Sequence, residues 1–174
     1  MSDLQNTVNS LNEKLSTLME IAALVNSSHD LDSIVERAVH SACRLTDAET
    51  GSLMLLDPAS GELHFEVALG KQGEDIKKIC VPKGQGIAGW VVENNAATII
   101  PEVQADERFY READKTTQFV THSMIAVPLH VKGRVIGVMQ AINKLDGAFD
   151  HNDLKLAVAL ANLVAPAIEA SRRH

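Results

Sequence analysis

Apolar residues recur every seven positions at the start of the chain, at Leu4, Leu11, Leu18 and Val25, with Val8, Leu15 and Ala22 following four later. This is the narrow a/d seam of a coiled coil and predicts one long helix over 3–27. Such a helix extends roughly 35–40 Å, more than a small domain needs for its own core. Its first part, about 1–20, is therefore expected to project and self-associate. Folding back on its own domain is the plainer alternative. Asn26 to Asp30 breaks it. Leu31, Ile34, Val35, Ala38, Val39, Ala42 and Leu45 then repeat at helical spacing.

The period changes next. Asp47 to Thr50 reads as a turn and Ser52 to Asp57 as a buried strand. Pro58 to Gly61 is turn chemistry, and Leu63, Phe65, Val67 and Leu69 alternate with polar or small residues. Two antiparallel strands follow from this. Ile76 to Val81 is a short strand, Lys83 to Gly86 a turn opening a helix near Ile87, and Thr98 to Ile100 a strand stopped by Pro101. Residues 103–121 are polar, with a short helix around 112–119. Met124–Val131 and Val135–Ile142 form a hairpin at Lys132-Gly133, and Asn143 to Phe149 is loop. Asp150 caps a last helix, about 151–172, apolar nearly all round and interrupted by Pro166. Helices at both ends with strands between predict an α/β sandwich on a central antiparallel sheet.

The chain has 174 residues and 45% hydrophobic positions, the size of one domain plus an extra helix. No uninterrupted apolar run suggests a membrane span, and the polar N-terminus lacks a signal-peptide pattern. The cytoplasm is the expected location. A net charge of −7 with scattered basic residues argues against a nucleic-acid partner. Two cysteines, Cys43 and Cys80, are too few for a disulfide scaffold and read as buried thiols. His40 and Cys43 are three apart on a helix, too weak a pattern for a metal, so no metal is expected.

The chemistry concentrates in 81–144. Gly84, Gly86 and Gly89 surround a helix start whose Ile87 and Ala88 N–H groups can face an anion, although a tight turn explains the same glycines. Tyr110, Asp114, Thr117 and Thr121 follow at i, i+4, i+7 and i+11. On a helix the carboxylate and hydroxyls share a face and can bind a ribose phosphate; capping of a short helix is the plainer use. Asn143-Lys144 is followed by Phe149 and then by Asp153. With Asp106-x-Arg108-Phe109, these motifs resemble a GAF domain, most closely the cyclic-nucleotide-binding GAF domains of phosphodiesterases and adenylyl cyclases. The resemblance runs from about Leu18 to the end.

The resemblance implies a six-stranded antiparallel sheet, with terminal helices on one face and a ligand pocket on the other. It implies ligand contacts from Ile87, Ala88, Tyr110, Asp114, Thr117 and Thr121, with Ser52 and Gln140 at the floor. It also implies that Asn143, Lys144, Phe149 and Asp153 support the pocket through a Lys144–Asp153 ion pair, a surface ion pair worth less than about 1 kcal/mol being the plainer alternative. This chain departs from the pattern at Ala68 and Leu69, at Gln140 where some members carry Glu, and at Trp90 where His is common. Without a carboxylate for guanine, cyclic AMP ranks above cyclic GMP. The expected role is a non-catalytic sensor domain (21–174) acting as a parallel homodimer through its terminal helices. A ligand-free dimerisation module is the first rival. A GAF-type methionine-sulfoxide reductase is the second, although no base stands near either cysteine in the sequence. A bilin or metal site is the third.

Overall fold

A computed structural model describes residues 2–27, 30–68, 79–109 and 120–172. In chain order they form helices α1 (Asp3–Ser27) and α2 (Leu31–Thr46), strands β1 (Ala48–Leu56), β2 (Leu63–Ala68) and β3 (Cys80–Val81), helix α3 (Gly86–Asn94), strand β4 (Thr98–Ile100), a 3-10 turn at Val103–Ala105, strands β5 (Met124–Val131) and β6 (Arg134–Lys144), and helix α4 (His151–Arg172). The sheet is six-stranded and antiparallel, in the order β3-β2-β1-β6-β5-β4.

Two boundaries differ from the sequence reading. Only Asp47 turns, in the left-handed region at φ 53 with its N–H bonded to the Cys43 carbonyl, and β1 begins at once at Ala48. Asn143 and Lys144 are the last residues of β6, not loop. Ladder pairing decided both cases, since Ala48 pairs with Lys144 and Thr50 with Ile142. The expected helix at 112–119, the loop after Leu69 and most of the strand at 76–81 fall outside the described residues.

The sheet separates two cores. On one face α2 supplies Ile34, Val35, Ala38, Val39, Ala42 and Leu45, all buried, and α4 supplies Leu160, Val164 and Ile168. They meet Leu53 and Leu55 of β1 and Ile125, Val127 and Leu129 of β5. Each such aliphatic side chain contributes about 1.5–3 kcal/mol on burial. Gly51 makes the close approach of α2 possible, because a Cβ there would meet the Gln140 carbonyl oxygen at 2.7 Å and the Cys43 sulfur at 3.1 Å. The opposite face is covered by α3, whose Ile87, Ala88 and Val91 pack with Met54, Phe65, Met124 and Val138.

By length and composition α4 could cross a membrane, contrary to the expectation that no segment could. Part of that apolarity is used against α2 and the sheet, where Leu160, Val164 and Ile168 are buried. Along α1, Thr17 and Ile21 are buried, and Leu18, Leu24 and Val25 pack on the helix-side core. Leu18 and Val25 are thus domain contacts as much as seam positions. Leu4, Val8, Leu11 and Leu15 remain exposed.

Candidate ligand site

The middle of the α3-side face is crossed by a row of registered neighbours: Ala68, Ser52, Gln140, Ala126 and Thr98 on β2, β1, β6, β5 and β4. Period-two alternation puts Ser52, Gln140, Ala126 and Thr98 on the side of Met54, Val138, Met124 and Ile100, and a register shift at Leu53/Met54 brings Ala68 opposite Ser52. These are small or polar residues in a face otherwise filled by large apolar ones, so they form a low floor. Ser52 Oγ donates to Gln140 Oε1 at 2.9 Å, and both residues are buried. Among the described residues the Gln140 side-chain N–H groups have no acceptor. They are open to water or a ligand, since Gln140 keeps 7% of its surface exposed.

Helix α3 begins above this face. Gly84 and Gly86 sit at φ 76 and 72, and a Cβ on Gly89 would meet the Gly84 carbonyl carbon at 2.6 Å. The turn therefore folds tightly against the helix. Gln85 occupies the N-cap without a side-chain cap. Among the described residues the Gly86, Ile87 and Ala88 N–H groups have no acceptor; the first intrahelical bond is Gly89 N–H to the Gln85 carbonyl at 3.0 Å. The side chains of Ile87 and Ala88 point into the second core, so any ligand contact from them is through backbone.

A separate open cleft of about 220 Å³ lies outside this helix start, lined by Gly84, Gln85, Gly86, Trp90, Glu93 and Arg108, among others. Arg108 is bidentate to Asp106, at 2.9 and 2.8 Å, and its guanidinium lies 4.7 Å from the centre of the Trp90 ring. That pairing holds the Asp106 carboxyl below its ordinary range. Since Arg108 is committed to Asp106 and Glu93 and Glu107 also line the cleft, it is poorly suited to a phosphate. The sequence motif Asp106-x-Arg108-Phe109 thus organises a wall around Trp90.

At the far end of β6 the four expected support residues come together. Lys144 Nζ donates to Asp153 Oδ2 at 3.0 Å and to the Thr46 carbonyl at 2.7 Å, and lies 5.7 Å from the Phe149 ring centre. Asp150 and Asp153 form a reciprocal cap: each carboxylate accepts the other's N–H, at 3.0 and 2.8 Å. Asn143 has the most partners. At φ 62, its Oδ1 accepts from the His122 and Ser123 N–H groups at 2.6 and 3.2 Å, and its Nδ2 donates to the Val120 carbonyl at 3.1 Å. Thr121, buried, lies within the segment so pinned, and its carbonyl accepts from Gln104. The left-handed turn at Asn143 was not legible in the sequence. Tyr110, Asp114 and Thr117 lie outside the described residues.

The thiols correct two expectations. Cys43 is largely buried, which pushes it up to about 11. Cys80 is less buried than expected, at the sheet edge with its sulfur 3.7 Å from His64 Nε2. A base does stand beside it, brought by the β2–β3 pairing rather than by sequence proximity. Desolvation, and then the Glu62 carboxylate, push this thiol up as well.

The family profile described as GAF domain matches residues 30–168. This chain belongs to the GAF domain family. The matched region begins after α1. Among curated proteins, this GAF domain is 30% identical over 146 residues to a probable 3',5'-cyclic phosphodiesterase of Caenorhabditis elegans, covering 78% of the chain and 20% of that protein. It is 31% identical over 149 residues to the dual 3',5'-cyclic-AMP and -GMP phosphodiesterase 11A of Takifugu rubripes, covering 79% and 16%. The chain thus spans a fifth or less of these relatives. Among solved structures, the GAF domain of a phosphoenolpyruvate-protein phosphotransferase from Coxiella burnetii superposes with a TM-score of 0.84 at 21% identity, over 95% of this chain and 97% of that one. A free methionine-R-sulfoxide reductase from Neisseria meningitidis gives 0.75 at 22%, over 92% and 90%. At these identities the structural likeness shows the GAF fold alone.

Proposed function

We propose that this GAF domain is a regulatory, non-catalytic sensor that binds a cyclic nucleotide, cyclic AMP ahead of cyclic GMP. The observation that carries the reading is Gln140: its amide oxygen accepts from Ser52, which leaves its N–H groups available to a ligand on a floor of small side chains. An amide can pair with the donor–acceptor edge of adenine. Guanine's N1 and N2 donors call for a carboxylate, and the floor row has none. The α3 N–H groups would hold the phosphate, and Thr117, Thr121, Asp114 and Tyr110 would close on the sugar and base. Relationship to cyclic-nucleotide phosphodiesterases supports the ligand class. The Takifugu relative is named for both nucleotides and a Drosophila relative for cyclic GMP, so the base preference is to be tested on both.

Exposed Leu4, Val8, Leu11 and Leu15 support a parallel homodimer through α1, which would carry a ligand-dependent change to an output domain in the cytoplasm. Both thiols are pushed away from thiolate, which favours binding over reductase chemistry.

Thermal and denaturant unfolding with each nucleotide tests the reading. At one hundred times the dissociation constant, a ligand should stabilise by about 2.7 kcal/mol. Gln140→Ala should abolish the cyclic AMP effect. No stabilisation by either nucleotide would defeat the reading and favour a ligand-free dimerisation module, for which the α1 seam is the supporting observation.

A further inference from the structure

The edge of the sheet remote from α3's floor contacts holds a second cluster of chemistry. His64 on β2 and Cys80 on β3 are direct cross-strand partners. Leu63, Phe65 and Val81 point into the α3-side core, so alternation sends His64 and Cys80 to the opposite face. Glu62, two residues before His64, shares that side. One donor atom from each of Glu62, His64 and Cys80 falls within 4.8 Å of the other two. No residue in this cluster is part of the nucleotide reading above.

The spacing is informative. With zinc–sulfur and zinc–nitrogen bonds of about 2.3 and 2.05 Å and a tetrahedral angle, ligand sulfur and nitrogen stand about 3.6 Å apart. Cys80 Sγ and His64 Nε2 are 3.7 Å apart. We propose that Glu62, His64 and Cys80 bind a thiophilic divalent cation, with zinc the best match. Thiolate, imidazole and carboxylate form a mixed set suited to zinc, whereas calcium and magnesium take oxygen ligands. Asp57 stands near enough to act on both Cys80 and His64, so a second carboxylate adds to the negative field a dication would relieve. Binding exchanges the thiol proton for the metal, and a water completes four-coordination.

The consequence is mechanical. Strand β3 is two residues long and, among the described residues, pairs with β2 alone at the sheet edge. A metal spanning His64 and Cys80 would clamp it, and β3 leads through Pro82 directly into the turn that starts α3.

Titration of the metal-stripped whole chain with Co²⁺ tests this. One bound Co²⁺ per chain is expected, with a thiolate-to-cobalt charge-transfer band in the near ultraviolet that Zn²⁺ removes and excess Mg²⁺ does not. Cys80→Ser should lose the band while retaining the wild-type circular dichroism, and His64→Gln and Glu62→Gln should each weaken binding. Zn²⁺ should slow amide exchange across Cys80 to Gly86. Absence of the band at saturating Co²⁺, its persistence in Cys80→Ser, or its removal by Mg²⁺ would overturn the assignment; unchanged exchange would overturn the clamp.

Discussion

Lys144 and Asp153 form an almost fully enclosed ion pair, 3.0 Å long, with side chains only 12% and 5% exposed. It joins the last strand to the first turn of the last helix, while the same ammonium holds the carbonyl that ends α2. One strand and two helices thus meet at one nitrogen. Removing one partner of such a pair leaves a buried charge. Asp153→Asn or Lys144→Met should cost about 3–5 kcal/mol, measured as a lower urea midpoint at unchanged m-value.

Asn143 combines a left-handed backbone with a side chain bonded to the segment 120–123. Asn143→Gly keeps the backbone freedom and loses the bonds; Asn143→Ala loses both. Glycine should destabilise by about 1–3 kcal/mol, and alanine by more, in denaturant titrations. On the sensor reading both also weaken nucleotide binding, because Thr121 lies in the segment they release.

Gly89→Ala should push the Gly84 turn off α3, since the added methyl would stand 2.6 Å from the Gly84 carbonyl carbon. The expected cost is about 1–3 kcal/mol. Backbone amide shifts confined to 82–92 would be the diagnostic spectrum; an unshifted spectrum would contradict the packing.

Leu11→Asp with Leu15→Asp should abolish self-association in sedimentation experiments and leave unfolding of the monomeric domain unchanged, because both side chains are exposed. Leu18→Asp should instead lower stability, because Leu18 packs on the core. Unaltered sedimentation of the double variant would refute the seam.

Burial raises Cys43 from 9.0 to about 11. Between these values the unfolded chain ionises first and binds fewer protons than the native one. The associated stability is therefore complete below about pH 9 and lost as pH rises towards 11, by about 1–3 kcal/mol. Cys43→Ala should flatten this alkaline limb relative to the parent chain, whatever it does to stability at neutral pH.

Helix spans and the β1–β2 and β5–β6 hairpins were legible in the sequence, because each rests on a local period or a turn dipeptide; the Lys144–Asp153 pair was legible only through the family resemblance. The strand limits at Ala48 and Lys144 were not, since cross-strand pairing rather than propensity extends β1 and β6. The motif at Asp106 read as a family signature; only folding showed Arg108 committed to Asp106 and Trp90.

By itself, the sequence determined the two-sided hydrophobic pattern, the long terminal helices and the motifs of the GAF family. Periodicity and local hydrogen bonding act over a few residues and can be read from order along the chain. Tertiary structure alone decided that Ser52 meets Gln140, that Asn143 pins the segment 120–123, and that Glu62, His64 and Cys80 share one edge. Those neighbours are separated by up to 88 positions for Ser52 and Gln140. Sheet register brings them together, and register is a property of the whole fold rather than of any segment.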